Sequence, residues 1–341
     1  MSQGLIIRPI EEKDLAAISR FGRLTGPGFN SLPDSPDILK KKIEVSINSF
    51  SGKIEIKQRY YFFVMEDVEK QEVVGTCAIE TCIGHPWPLY QYKLSTIVQV
   101  SNSQNKYRSH KILNLVSQHQ DISELSSLYL SPAYRGEGRG AFLSRARCLF
   151  IAEFPSFFSN FILSDIRGWS DENGISPFWE ALGKQFFDMS YNEASFLRST
   201  QGSQFIVELM PHYPIYVDLL PEMVQNIIGK PHANAEPAMH VLEKEGLQFR
   251  KTIDIFDGGP TIEAPTLSVK TIRESQASVI RACNQKIQEG TLMLVSNTKL
   301  DFRAALGFLS LMPEGDVLLD ADLAKNLNVA VGDRIRFCRF R

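Results

Sequence analysis

A glycine-rich loop between a strand and a helix constrains the fold of this chain more than any other segment. Residues 122–130 predict a strand, which Pro132 ends. The loop that follows reads Arg135-Gly136-Glu137-Gly138-Arg139-Gly140. Residues 140–154 then predict a helix, and residues 161–166 another strand. The helix places apolar side chains on one face: Phe142, Ala146, Leu149 and Phe150.

This loop has the chemistry of an anion site. Glycines let the backbone approach a ligand closely, because no Cβ is in the way. The first N–H groups of a helix lack backbone partners and carry partial positive charge, so they bind phosphate well. The sequence contains neither GxGxxG nor Gly-Lys-Ser/Thr here, which argues against dinucleotide and P-loop folds. From the residues alone, a diphosphate cradle and a simple strand–helix turn remain open.

The other segments indicate a mixed α/β fold. Further strands are predicted at 5–10, 60–65, 73–82, 94–100 and 249–256, and helices at 11–23, 38–50 and 236–245. Residues 168–235 are predicted as helices and loops. Ala264-Pro265 suggests a boundary. We therefore predict one domain over 1–264, with a helical insertion at about 168–235, and a small β-rich module over 265–341.

Composition excludes several classes of protein. Lys and Arg number 37 and Asp and Glu 39, so no basic excess indicates nucleic acid or an anionic membrane as partner. The five cysteines form no CxxC pair, which predicts reduced thiols with neither disulfides nor a metal site. No signal peptide or apolar run of ~18 residues is visible. A soluble cytoplasmic protein is expected.

The loop also resembles a known acyltransferase motif. Its Arg-x-x-Gly-x-Gly spacing is similar to the coenzyme A pyrophosphate loop of GNAT acyltransferases, and the order of the earlier elements resembles that fold. Other segments resemble one family within it, the arginine N-succinyltransferases. They are Gly26-x-Gly28-Phe29-Asn30-Ser31-Leu32-Pro33, Arg167-Gly168, Asp171-Glu172-x-Gly174-x-Ser176-Pro177-Phe178-Trp179, Glu208-Leu209-Met210-Pro211 and Asp254-Ile255-Phe256-Asp257-Gly258-Gly259-Pro260-Thr261.

The resemblance implies transfer of a succinyl group from succinyl-CoA to the α-amine of L-arginine, the first step of arginine catabolism by succinylation. Succinyl-CoA would be a co-substrate, with no permanently bound cofactor. A homo-oligomer or a pair of related subunits is implied. Two alternatives stay open: an acyltransferase for ornithine or another amine, and a non-catalytic partner subunit.

The same resemblance assigns roles to individual residues. Leu128 matches the family's succinyl-CoA contact, and Arg135, Gly136, Gly138, Arg139 and Gly140 would hold the pyrophosphate. His232 matches the proton donor proposed for the family. An imidazole can serve in this role, since it titrates near neutral pH. Glu124 stands where GNAT enzymes often keep a carboxylate that serves as base. The alternatives are a buried strand residue at 128, a loop-packing histidine at 232 and an ion pair at 124.

The guanidinium of arginine would need a carboxylate in fork geometry. The candidates are Asp165, Asp171, Glu172, Asp254 and Asp257. Arg167 or Arg8 could bind a substrate carboxylate.

Two segments depart from the family. Ser164-Asp165-Ile166-Arg167 stands in place of Ala-Glu-Met-Arg, and His119-Gln120-Asp121 in place of His-Thr-Gly. Both departures bear on the choice of amine more than on the reaction class.

Overall fold

The computed structural model describes residues 4–340 apart from 27, 86–87, 172, 202–203, 284–286 and 288–290. The described residues form sixteen strands in one mixed sheet. The strands are β1 (Leu5–Pro9), β2 (Tyr60–Asp67), β3 (Glu72–Ile83), β4 (Gln91–Ser101), β5 (Lys106–Val116), β6 (Ile122–Leu130), β7 (Phe161–Asp165), β8 (Ile215–Tyr216), β9 (Gln248–Asp254), β10 (Pro260–Pro265), β11 (Gln276–Ala282), β12 (Met293–Asn297), β13 (Ala304–Gly307), β14 (Leu309–Leu311), β15 (Val317–Leu319) and β16 (Arg334–Arg339).

Helices cover both faces of this sheet. They are α1 (Leu15–Thr25), α2 (Pro36–Phe50), α3 (Arg139–Glu153), α4 (Lys184–Phe187), α5 (Tyr191–Gln201), α6 (Gln204–Leu209), α7 (Glu222–Ile227), α8 (Glu236–Lys244), α9 (Lys270–Glu274) and α10 (Ala321–Leu327). A π-helical turn at Trp179–Gly183 precedes α4. None of the helices in the described ranges is long and apolar enough to cross a membrane.

Strand order in space differs from order in the chain. The sheet runs β14-β15-β11-β16-β12-β13-β1-β2-β3-β6-β7-β10-β9-β4-β5-β8. The pairs β6–β7 and β11–β15 are parallel, and the other pairs are antiparallel. The mixed α/β architecture predicted from the sequence is therefore confirmed.

Two buried clusters sandwich the centre of the sheet. On one side, α3 packs its apolar face against β2 and β3, with Phe150 inserted between Tyr61 and Phe63. On the other side, α1 and α2 bury Phe21 and Ile43. A third cluster joins the segment between β7 and α8 to β4 and β9, with Trp179 stacked on Phe256. Burial of such aromatic side chains supplies much of the stability of a domain.

The parallel pair β6–β7 comes apart along its length. The two strands pair only at Ser123 with Ile162 and at Glu124 with Leu163. The Ser164 hydroxyl then donates to the Leu125 carbonyl at 2.7 Å, which is the last contact of this kind. Beyond that point the side of β6 that faces away from β3 has no strand beside it. The two strands therefore splay apart beyond Leu125.

A β-bulge interrupts β6 within the splayed part. The register against β3 shifts between Thr76 and Ala78, so Ser127 and Leu128 oppose a single residue of β3, Cys77. Ser127 adopts φ +54°, which is unusual for a residue with a side chain. The bulge turns the backbone of β6 at the place where its outer side becomes free.

The C-terminal segment extends the same sheet. Ile6 and Ile7 of β1 pair with Ala305 and Ala304 of β13. Phe302 lies 5.2 Å from Phe150, ring centre to ring centre, inside the cluster under α3. Residues 276–339 contribute six strands and α10, which agrees with a β-rich module. The division at about residue 265 remains a prediction.

Several predicted elements need correction. The helix expected at 11–23 begins at Leu15, because a 3₁₀ turn precedes it and Asp14 accepts bonds from Arg8 instead. Leu24, near the end of this helix, is 65% exposed. The sequence did not predict β5, whose first half is polar and exposed, or β10, which a proline begins and ends.

Candidate active site

A cleft of about 640 Å³ opens where β6 and β7 diverge. Its walls come from β6 between Glu124 and Leu130, the end of β7, the glycine loop, and one side of α8. Residues 24–25 and 28–31, together with Arg198 of α5, close the opposite side. The cleft therefore joins the two features that the sequence singled out, the loop and the strand before it.

The glycine loop lies at one end of this cleft. Gly136 and Gly138 adopt φ +99° and +82°, in the left-handed region that residues with side chains avoid. A Cβ placed on Gly140 would meet open space within the cleft, so the backbone at the start of α3 is accessible to a ligand. Gly138 is the residue that caps α3. Free N–H groups of the first turn therefore face the site, as a phosphate group requires.

The two arginines of the loop are placed differently. Arg135 lines the cleft, is exposed, and donates from Nε to the Leu130 carbonyl at 3.1 Å. Arg139 is paired with Glu137 at 2.7 Å and is not part of the cleft wall. Of the predicted pyrophosphate residues, Arg135 and the three glycines thus meet at the cleft.

Replacing Arg135 with glutamate is expected to weaken acyl-CoA binding by roughly 10-fold or more, because attraction to phosphate becomes repulsion. Isothermal titration with CoA measures the effect, and the loss should shrink at high salt. Arg20→Glu, an exposed change outside the cleft, is the control. Equal CoA affinity in Arg135→Glu and the native chain would contradict the cradle.

Leu128 lines the cleft on the splayed part of β6. Its side chain is half-buried and packs against the cluster under α3. The backbone around it lies beyond the last β6–β7 pair, so its free polar groups can pair with amide groups of an extended ligand. Leu128 therefore offers an apolar wall through its side chain and a potential binding edge through its backbone, and its contact with succinyl-CoA remains a prediction.

Glu124 lies in the cleft with its side chain largely enclosed. Burial, helped by the charges of Asp165 and Glu80, raises the pKa of Glu124 to about 8. Its carboxylate has no Lys, Arg or His within ion-pair distance in the described part of the chain. The ion-pair alternative is therefore wrong. A carboxyl group with a pKa near that of an amine is suited to exchange a proton with one.

Three of the predicted guanidinium ligands converge at the other end of the cleft. Asp165 ends β7, Asp254 ends β9, and Asp257 lies in the next turn. Arg198 forms an ion pair with Asp254 and lies 3.7 Å from Asp165, Nη2 to Oδ2. Its guanidinium carbon is 4.8 Å from the centre of the Phe256 ring. A guanidinium is thus already held here by carboxylates and an aromatic face.

The three carboxylates are not equivalent. Asp257 accepts from the backbone N–H groups of Gly168 and Gly259, each at 2.8 Å, and so fixes the turn to the end of β7. Burial and the charge of Asp254 raise the pKa of Asp257 to about 7 and also raise the pKa of Asp165. Among described residues, no group of His, Cys, Asp and Glu is arranged to hold a metal ion.

The remaining charged candidates lie elsewhere. Asp171 accepts from the N–H groups of Asn173 and Ile175 in its own loop and does not line the cleft. Glu172 lies outside the described residues. Arg8 is wrong as a carboxylate ligand, because it is held by Asp14 at 2.8 Å and by Glu66.

Arg167 is better placed than Arg8. It lines the cleft, and its terminal nitrogens donate to neutral acceptors, the Thr25 carbonyl at 3.1 Å and the Ser170 hydroxyl at 2.9 Å. Its Nε is buried and has no hydrogen-bond partner. Burial lowers the pKa of Arg167. This cation lacks a carboxylate partner within ion-pair distance in the described ranges, which suits it to an anionic substrate group.

His232 lies behind the cleft wall. Its backbone N–H donates to the Arg167 carbonyl at 2.8 Å, and its neighbours Asn234 and Ala235 line the cleft although His232 does not. The Asn234 N–H points at His232 Nδ1 at 3.1 Å, so the neutral ring carries its proton on Nε2. Burial and the charge of Arg167 lower the pKa of His232. Its role as proton donor remains a prediction.

One departure from the family has a structural counterpart beside the site. Asp121 adopts φ +52°, a backbone conformation that suits the glycine expected there. His119 is buried and bonded to Gln91 and Glu263. Gln91 Nε2 in turn donates to Asp165 at 3.1 Å. The 119–121 segment is thereby linked to the carboxylates of the cleft.

Two arginines of the cleft, Arg147 and Arg198, were not identified from the sequence. Arg198 belongs to the helical insertion, and only the folded chain brings it to Asp254. Arg147 lies on the apolar side of α3, where it is 1% exposed. The sequence did contain a signal for Arg147, because it is a charged residue on the apolar side of a predicted helix. Such a residue needs polar partners inside the protein.

Comparisons with known proteins place this chain among its relatives. The model of the arginine N-succinyltransferase beta subunit family matches residues 5–271, and a separate model for the C-terminal domain of that beta subunit matches 278–339. A Yersinia pestis arginine N-succinyltransferase is 41% identical over 337 residues, covering 97% of this chain and 96% of its own. An Escherichia coli arginine N-succinyltransferase is 38% identical, with 98% and 97% covered.

A solved structure is similar along its whole length. It is the arginine/ornithine succinyltransferase subunit AI from Pseudomonas aeruginosa, at 34% identity and a TM-score of 0.88, with 99% of each chain covered. Sequence and structure relate this chain to one group of acyltransferases, and the chain belongs to the arginine N-succinyltransferase family.

Proposed function

We propose that this chain transfers the succinyl group of succinyl-CoA to the α-amine of L-arginine, giving N2-succinyl-L-arginine and CoA, as the first step of arginine catabolism. One observation carries the proposal: the glycine loop, the splayed part of β6 and a group of carboxylates line a single cleft. The anion site suits the pyrophosphate of an acyl-CoA, and the extended edge suits its pantetheine arm. The acidic end suits a cationic amine.

The acyl-CoA is proposed to lie along the cleft from the loop to the bulge. Its pyrophosphate binds the N–H groups at the start of α3 and the side chain of Arg135. The amides of the pantetheine arm pair with the free backbone of β6 around Leu128. The thioester then reaches the bulge near Ser127, where backbone N–H groups can stabilise the oxyanion.

The amine end matches the charge of L-arginine. Four carboxylates line it and two arginines accompany them: Glu124, Asp165, Asp254 and Asp257, with Arg167 and Arg198. A substrate with a guanidinium and an ammonium group supplies the missing positive charge. We assign the guanidinium to Asp165, which Arg198 approaches only to 3.7 Å, and the α-carboxylate to Arg167.

The proposed chemistry is direct attack within a complex of both substrates. Glu124 takes a proton from the α-ammonium, and the free amine attacks the thioester carbon. The C–N bond forms, the oxyanion collapses and the C–S bond breaks. The CoA thiolate then takes a proton, and the nitrogen loses its second one. In this proposal His232 donates the thiolate proton as the imidazolium and returns to its neutral form, and the second proton of the nitrogen goes to water.

His232→Ala is expected to lower kcat by roughly 10–100-fold with little change in CoA affinity, because a proton transfer is lost while the loop stays intact. Steady-state thiol release measures kcat, and titration measures affinity. His240→Ala, an exposed change on α8, is the control. If His232→Ala retained full kcat, another group or water would have to protonate the thiolate.

Thiol release from succinyl-CoA with L-arginine is the experiment that tests the function. Acetyl-CoA and L-ornithine run in parallel. Release that requires both succinyl-CoA and L-arginine supports the proposal. The name of the Pseudomonas aeruginosa relative includes ornithine, so ornithine is the second candidate acceptor. Bound CoA with no release for any pair would favour a non-catalytic subunit.

The names of the relatives also bear on assembly. The matching family is described as a beta subunit, and the solved relative as subunit AI. We propose that the chain works as a homo-oligomer or beside a related subunit. The proposed location is the cytoplasm, in keeping with five cysteines that are all unpaired.

A further inference from the structure

Arg147 is a cation buried beneath the bulge of β6. Its Nη1 donates to the carbonyls of Ala78 on β3 at 3.3 Å and Ser126 on β6 at 3.2 Å. Its Nη2 donates to the Ser144 hydroxyl at 2.8 Å, and its Nε to the Ser144 carbonyl at 3.2 Å. One guanidinium therefore connects α3 with both strands at the point where their register shifts.

The other side of the bulge is also held. The Thr76 hydroxyl donates to the Ser127 carbonyl at 2.8 Å. The hydroxyls of Tyr60 and Ser127 are 2.8 Å apart. Ser127 keeps its positive φ because these bonds, together with those of Arg147, fix the carbonyls on both sides of it.

The charge of Arg147 is not neutralised. Each of its hydrogen-bond partners is a carbonyl or hydroxyl oxygen, and no carboxylate of the described chain lies within ion-pair distance. Burial lowers the pKa of Arg147. A buried cation without a counterion is costly, and such a group is commonly found where charge is needed. Here it borders the cleft at the bulge, where the thioester is placed.

We propose that Arg147 is a positioning residue for acyl transfer: it holds the bulge of β6 in shape and provides positive charge beneath the position of the oxyanion. The inference rests on the proposed function. Two physical effects combine. The fixed carbonyls keep the neighbouring N–H groups aimed into the cleft, and the buried charge stabilises negative charge that develops nearby.

This role predicts a loss in turnover rather than in binding. CoA affinity depends on the loop and on the free edge of β6 around Leu128, whereas Arg147 contacts β6 at the Ser126 carbonyl. Arg147→Gln is expected to lower kcat by roughly 30–300-fold, in the range seen when one oxyanion contact is removed, with KM for succinyl-CoA changed less than about 3-fold. Arg147→Lys keeps the charge and should recover part of kcat.

A milder change tests the same bulge independently. Thr76→Val is nearly isosteric and removes the hydrogen bond to the Ser127 carbonyl. It is expected to lower kcat about 3–10-fold, again without a matching rise in KM. Arg20→Gln, an exposed arginine outside the cleft, controls for loss of one positive charge.

Thiol-release kinetics, CoA titration and thermal melting are measured on the full chain for all four variants. The inference is supported if kcat falls in the variants at 147 and 76 while CoA affinity is preserved, and if Arg147→Lys has a higher kcat than Arg147→Gln. If Arg147→Gln does not fold, Arg147→Lys and Thr76→Val decide it. Native kcat in these variants, or a loss confined to CoA affinity, overturns it. No turnover by the native chain would instead refute the proposed function.

Discussion

Replacing Glu124 with glutamine is expected to lower kcat/KM for L-arginine by roughly 10²–10⁴-fold at pH 7, the range typical for loss of a general base. The amide has nearly the same shape, so binding of succinyl-CoA should stay the same. The residue lies in the cleft without an ion-pair partner among the described residues, and burial raises its pKa to about 8. A lost ion pair therefore cannot explain a large effect on rate.

The pH dependence separates a base from a structural residue. Above its own pKa the α-amine loses its proton to water and no longer needs Glu124. The deficit of Glu124→Gln should therefore shrink as pH rises from 7 to 10. Thiol release across this range measures it, with Glu44→Gln as an exposed control. A deficit that is constant with pH, or smaller than about 3-fold at pH 7, would argue against a base.

The pH dependence of stability gives a second test of the raised pKa of Glu124. Because the pKa of Glu124 is raised in the folded chain, the folded state binds more protons than the unfolded state between pH 4.5 and about 8. As pH rises through this window the free energy of unfolding therefore falls, by up to ~1.4 kcal/mol per pH unit from this group. The stability that protonated Glu124 contributes is fully present only at the low-pH end. The melting temperature of Glu124→Gln should therefore decline less with rising pH than that of the native chain.

Replacing Asp165 with asparagine is expected to raise KM for L-arginine by roughly 10–100-fold, the cost of losing a charged hydrogen bond, with KM for succinyl-CoA unchanged. Asparagine retains the Oδ1 atom that accepts from Gln91 and Thr261, so the local structure should survive. Only the charge that faces the guanidinium is removed.

The same substitution should act on Glu124. The charge of Asp165 helps to raise the pKa of Glu124, so its removal should move the rise of kcat with pH to lower pH. Kinetics with varied L-arginine at several pH values test both effects. Asp322→Asn, an exposed change on α10, is the control. An unchanged KM for L-arginine would place the guanidinium elsewhere.

The local part of the site could be predicted from the sequence. The strand at Ile122–Leu130 has the predicted bounds, and α3 begins and ends one residue before the predicted limits. Glycines in a loop and backbone N–H groups at a helix start act over a few residues, so a short stretch of sequence suffices. The resemblance to the family added Leu128 and His232, which pattern alone would have left as ordinary residues.

The amine end could not be predicted in the same way. Asp165, Arg198 and Asp254 come from three segments that meet because β10 lies between β7 and β9 in the sheet and α5 packs beside them. No spacing in the sequence encodes that order. The bulge at Ser127 is also a relation between two strands, visible only when the register of β6 against β3 is known.

The pairing of β1 with β13 has a consequence for synthesis of the chain. Residues 5–9 leave the ribosome long before their neighbours at 304–307 are synthesised. Until then one edge of β1 lacks its partner, and unpaired edges invite contact with other chains. Nascent chains thus carry an exposed edge of β1 until β13 has been synthesised and pairs with it.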